Sequence, residues 1–182
     1  ERSFYNCTSL SGFISLTDIC AQNIGADALF GTSFTNLVVD ETVEDISIGE
    51  FDYFKNYSMA LTLQNGLLSI SNSGFKDYNF TGDFFLPQTV DLLGDSSFEN
   101  ISTFDGFYDF SQSNISSIGK RAFKNCNGIS GSLVFQDTLF YIGDEAFRNN
   151  SSINGELALP QELTGIGEYA FAGNSSMTGN LN

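Results

Sequence analysis

The chain has 182 residues, 22 acidic and 7 basic, for a net charge of −15, with 18 Gly and 19 Phe but no His and no Trp. So few cations cannot neutralise phosphates, which argues against nucleic-acid partners, and the same balance disfavours anionic membrane surfaces. Without His the chain lacks the commonest general base and metal ligand, and no apolar run reaches the roughly 18 residues of a transmembrane helix.

Read in chain order, one residue type keeps time. Phe4, Phe30, Phe54, Phe75, Phe98, Phe123, Phe147 and Phe171 recur 21 to 26 residues apart, with Leu29 as an alternative match in the second copy. An Ile-Gly or Leu-Gly step precedes most of them, at Ile24-Gly25, Ile48-Gly49, Leu93-Gly94, Ile118-Gly119, Ile142-Gly143 and Ile166-Gly167; in the fourth copy it is Ile70-Ser71. From Ile118 onward the copies sharpen to Ile-Gly-x-x-Ala-Phe with a step of 24 residues. Each is followed by a polar turn, an apolar residue, a Gly and an alternating run: Ile129, Gly131, Leu133, Phe135; then Ile153, Gly155, Leu157, Leu159. The only prolines, Pro87 and Pro160, stand just after such runs, where Pro ends a strand without breaking a ladder.

A period of about 24 residues has the length of one solenoid coil. Alternating apolar residues predict a short strand with one face inward, and the repeated Phe fills the coil interior. A coil cannot cover its own apolar face, so coils stack at about 4.8 Å. The expected architecture is a single β-rich solenoid over 1–182, of about eight coils, each with one short strand and short helical or 3-10 turns. A local bulge is expected near Ser102–Ser113.

The motif Ile-Gly-x-x-Ala-Phe, then x-x-Cys or Asn, x-x-Leu, x-Gly-x-Leu-x-Leu-Pro, resembles the BspA-like leucine-rich repeat family. The resemblance is strong at Ile115–Asn182 and Gly74–Val90 and degenerate at Ile19–Leu67 and Leu92–Phe110. It implies a right-handed leucine-rich-repeat coil, and a secreted or cell-surface protein used in adhesion or in host or matrix contact.

Cys7 and Cys126 sit three residues after the repeat Phe, a slot that also holds Asn150 and Asn174. Small polar side chains suit an inward ladder that bonds the turn backbone, so both cysteines read as buried structural thiols. A disulfide between two of Cys7, Cys20 and Cys126 stays open. The sequon Asn-x-Ser/Thr occurs eight times, more often than random placement would give. Asn6, Asn56, Asn79, Asn100, Asn114 and Asn149 are the glycosylation candidates; Asn150 and Asn174 lie in the inward slot.

The acidic groups Asp40-Glu41, Glu44-Asp45, Glu50 and Asp52 lack calcium-loop spacing and read as a solvated face. No phosphate-cradling loop is present, and no Ser-His-Asp set is possible. The chain therefore reads as non-enzymatic, with no cofactor and no metal. Expected partners are a protein or glycan on another surface, with no nucleic acid and no membrane insertion. The strand positions Ser132, Val134, Glu156 and Ala158 would form the contact face of an extracellular or cell-surface protein. The alternative is a structural subunit, with those sequons as candidate sugar sites, that stacks end to end on itself into an extracellular filament; the simple reading of the ends is a piece of a longer solenoid.

Overall fold

The computed structural model describes residues 4–15, 29–47, 54–106 and 108–179. Cys20, the steps Ile24-Gly25 and Ile48-Gly49, and the acids Glu50 and Asp52 lie outside the described residues. The chain winds as a parallel β-solenoid with almost no helix. One sheet joins β1 (Ser11–Ser15), β2 (Ser33–Val39), β4 (Met59–Leu63) and β6 (Phe80–Thr81). On the same side, β7 (Phe84–Phe85) pairs with β9 (Tyr108–Asp109), and β11 (Leu133–Val134) with β13 (Leu157–Ala158). A second sheet runs β3 (Asp45–Ile46), β5 (Ser69–Ile70), β8 (Leu92–Leu93), β10 (Ser117–Ile118), β12 (Tyr141–Ile142) and β14 (Gly165–Ile166). Most coils thus carry two short strands, one on each sheet.

The second strand is short because only one residue per coil points in. Ile46, Ile70, Leu93, Ile118 and Ile142 are fully buried in one row. Gly94, Gly119 and Gly143 follow in the next row. A Cβ on Gly119 would lie 2.5 Å from the Gly94 carbonyl carbon, and one on Gly143 would lie 2.6 Å from the Lys120 nitrogen. The repeated glycine is therefore set by how closely neighbouring coils approach.

The interior holds the predicted aromatic column. Phe75, Phe98, Phe123 and Phe147 are fully buried, and Phe54 nearly so. Centroids of Phe98 and Phe123, Phe123 and Phe147, and Phe147 and Phe171 are 5.2, 5.2 and 5.4 Å apart, with interplanar angles of 2°, 11° and 1°. Phe84 packs edge-on against Phe98 at 4.8 Å, so phenylalanines of the strand run complete the core around the column.

The slot after the repeat Phe is an inward polar ladder. Asn150 Oδ1 accepts the Cys126 N–H at 2.7 Å, and Asn174 Oδ1 accepts the Asn150 N–H at 2.7 Å. Asn150 Nδ2 donates to the Phe123 carbonyl, as the Cys126 thiol donates to the Phe98 carbonyl. Buried backbone groups at the turn are satisfied this way, where leaving one unpaired costs about 1–3 kcal/mol.

Between coils the turn donates forward. Arg121, Phe123 and Asn125 give their N–H groups to carbonyls of Asp144, Ala146 and Arg148, and Glu145, Phe147 and Asn149 repeat the pattern one coil on. Along the flanks of the second sheet the bonds run backward, as Gly119 to Leu93, Phe140 to Ser116 and Gly143 to Ile118 show.

Four expectations change in detail. Phe30 is 52% exposed and stacks on Tyr5, while Leu29 takes the inward place. The register confirms this, because Gly31 (φ 77°) occupies the left-handed slot held by Asn125 and Asn149 in later coils. Phe4 is half exposed, with Leu29 rather than a ring in the next coil. Cys126 is buried as expected, but Cys7 is exposed: its N–H bonds the Phe4 carbonyl of its own turn, and Thr32, in the same slot of the next coil, donates to the Leu29 carbonyl of its own turn instead of extending the inward ladder back to Cys7. Near Ser102–Ser113 the strand ladder is interrupted between β9 and β11, although Phe104 and Phe110 still fill the core.

Candidate interaction surface

Three surfaces run along the rod. The first is the strand face. Ser132, Val134, Glu156 and Ala158 are all exposed on it. The pairing Leu133 to Leu157 and Val134 to Ala158 sets the four side by side on adjacent coils. The Ser132 hydroxyl accepts the Glu156 N–H at 3.1 Å. Phe85 extends the exposed face two coils further, a residue the sequence pattern did not single out.

The second surface is the turn edge. In the coils from Phe75 to Phe171 two positions, two before and two after the repeat Phe, take left-handed backbone: Ser73 and Asp77, Ser96 and Asn100, Arg121 and Asn125, Glu145 and Asn149, Tyr169 and Gly173. Asn tolerates this conformation better than most residues. That requirement explains the abundance of Asn here, and with it part of the sequon excess. The carboxamides form a ladder: Asn100 Nδ2 donates to Asp77 at 2.7 Å, Asn125 to Asn100 at 2.8 Å and Asn149 to Asn125 at 3.0 Å. Of the sequon residues, Asn6, Asn56, Asn100, Asn114 and Asn149 are exposed, Asn79 and Asn174 are partly buried, and Asn150 is fully buried.

The same edge is an ion zipper. Lys76 pairs with Glu99 at 3.0 Å, Lys120 with Asp144 at 3.4 Å, and Lys124 and Arg148 with Glu145 at 2.6 and 3.1 Å. Arg148 also lies over the Tyr169 ring, and Lys55 over that of Tyr78. Burial pushes the Glu99 carboxyl pKa up, but Lys76, the Ser96 hydroxyl and Arg121 together outweigh it and hold it below the ordinary value. Glu145 is lowered chiefly by its hydrogen bond to Lys124, and further by Arg148.

The third surface is the second sheet. A groove of about 380 Å³ runs beside its glycine row, lined by Leu92, Ser117 and Tyr141 on one side and by Asp95, Lys120 and Asp144 on the other. Two of those carboxylates are already at work, since Asp95 accepts the Lys120 N–H and Asp144 the Glu168 N–H. Among the described residues, no group of three or more His, Cys, Asp or Glu is placed to hold a metal ion, and no helix is long and apolar enough to cross a membrane.

The stacked coils, with their Ile-Gly row and aromatic column, meet a matching sequence profile. The chain matches the BspA type leucine rich repeat region in six copies, over residues 1–105 and 106–180. The chain belongs to the BspA-type leucine-rich repeat family. Comparison with curated proteins and with solved structures found no match. For a BspA-type repeat, the two sheets and the turn edge are the surfaces a partner can reach, since the ring column closes the interior.

Proposed function

We propose that the chain is a non-enzymatic, extracellular or surface-displayed repeat module that acts by contact with a protein or glycan on another surface. The observation that carries this reading is the exposed set Ser132, Val134, Glu156 and Ala158, fixed in register on a rigid parallel ladder. Solenoids offer such extended faces for binding. The BspA-type family, whose members are commonly surface-associated, supports the location, and its repeat is a scaffold, which agrees with the absence of His.

The test is capture of surface proteins and glycans by the immobilised chain, comparing it with Val134→Arg and Ala158→Arg. Both replaced side chains are exposed, so the fold should survive and capture should fall about tenfold or more. Capture that ignores both substitutions would overturn the assignment to this face. Electron microscopy should show separate short rods; long uniform fibres would favour self-stacking into a filament.

Sugar on this reading sits at some of Asn6, Asn56, Asn79, Asn100, Asn114 and Asn149. Asn100 and Asn149 use the nitrogen that would carry it as ladder donors. Asn56 and Asn114, exposed and outside that ladder, come first.

A further inference from the structure

The partition of charge over the coils goes further than the net value. All six Lys and Arg among the described residues (Lys55, Lys76, Lys120, Arg121, Lys124 and Arg148) stand on the turn edge. Six of the 17 described carboxylates stand there with them, so the edge is balanced. The other eleven lie in the sequence slots of the two sheets and their corners, where none of the described Lys and Arg falls.

The second sheet combines carboxylates of this set, Glu44, Asp45 and Asp91, with exposed apolar groups. Leu68, Leu92, Phe140 and Tyr141 are each between 42% and 48% exposed. A single such residue on a surface is ordinary. Here they fall on two adjacent rows of one six-stranded sheet. Leu92, Ser117 and Tyr141 are in register on β8, β10 and β12, and backbone bonds join Leu68, Asp91, Ser116 and Phe140 in the next row. Asp91 stands between Leu68 and Leu92 in sequence and space, and Glu44 and Asp45 continue the two rows. Ser117 leaves a notch between Leu92 and Tyr141 that opens into the groove.

We propose that this second-sheet face docks a protein segment bearing Lys or Arg among apolar residues. The inference rests on the contact-module reading and adds a second face and the chemistry of its partner. Charge complementarity selects the occupant. A second copy would bring its own carboxylates against these and be repelled, and an anionic glycan would meet the same barrier. The chain's own cation nearest this face, Lys120 across the groove, is paired with Asp144, and the other described cations stand further along the turn edge.

The experiment uses the full chain and a short fluorescent peptide alternating Lys and Leu, with a Glu-Leu peptide and heparin as comparison probes. Anisotropy titrations compare the parent with Asp91→Asn/Tyr141→Ser and with Glu156→Gln on the strand face, and a thermal melt confirms that each variant is folded. The Lys-Leu peptide should bind the parent and Glu156→Gln alike, weaken about tenfold in the double variant, and weaken again as salt rises. Equal binding to parent and double variant, no binding to the parent, or equal binding of the Glu-Leu peptide or heparin would each overturn the proposal. Weakening in Glu156→Gln but not in the double variant would also overturn it, while leaving the strand-face contact reading intact.

Discussion

The coils from Phe98 to Phe171 and those from Ser11 to Leu63 reach the same stacked form by different means. In the later coils the strands are two residues long, and the turn holds neighbours together through near-parallel rings, the Cys126–Asn150–Asn174 ladder and three forward backbone bonds per coil. In the earlier coils Leu29 replaces the ring and Phe30 turns outward, but β1, β2 and β4 are five, seven and five residues long. The longer ladder adds strand bonds to the forward turn bond that remains there, from the Asn6 N–H to the Phe30 carbonyl. A repeat can therefore give up its interior ring and keep its fold where its strands are longer.

The sharpest break of this comparison is Phe123→Ala. That ring lies between two others and is fully buried, so its loss should cost about 3–5 kcal/mol, whereas Phe30→Ala should cost less than about 0.5 kcal/mol. Urea denaturation of both variants measures the gap, and equal losses would mean that the column does not hold the later coils. Next comes Gly119→Ala, whose Cβ would meet neighbouring backbone. It should cost about 3 kcal/mol by forcing coils apart, while Gly82→Ala has open space around the new Cβ and suffers only from its φ of 81°.

Asn150→Ala removes an acceptor and a donor from buried backbone groups and should cost about 2 kcal/mol. Asn36→Ala, which breaks only an exposed pair with Thr62, should be near neutral. Thermal melts rank the two. The smallest effect is in acid. The ion pairs with Lys76 and with Lys124 and Arg148 hold the carboxyl pKa values of Glu99 and Glu145 below the ordinary carboxylate value. Such groups add stability that is complete above about pH 4.5 and is lost as pH falls through the folded value. Glu99→Gln should therefore flatten the fall in melting temperature below about pH 4.5; an unchanged slope would show that the zipper contributes nothing there.

Much of this was legible in the sequence because the repeat is strict where side chains are constrained from both sides. Ile118, Gly119, Ala122 and Phe123 each face a neighbouring coil, so their identities recur. The second strand escaped notice because Ser117-Ile118 is too short to show alternation, and its outward residue varies freely among Ser, Leu, Tyr and Gly. Cys7 and Cys126 share a slot in sequence, but Asn150 in the coil after Cys126 accepts its N–H, whereas Thr32 in the coil after Cys7 bonds its own turn, a difference that spacing does not encode. The strand-face residues were read from alternation alone. Phe85, Phe140 and Tyr141 were not, since Phe marks interior positions elsewhere in the repeat.

The opposed directions of the inter-coil bonds have a consequence for length. At the turn each coil from Phe75 to Phe147 adds peptide dipoles pointing one way along the rod axis, and at the flanks of the second sheet the chain adds dipoles pointing the other way. In an α-helix the contributions align and leave partial charges of about half an electron at the ends. Here they largely offset, so adding coils does not build up a field along the axis, and a rod of this kind can grow without an electrostatic penalty from its own backbone.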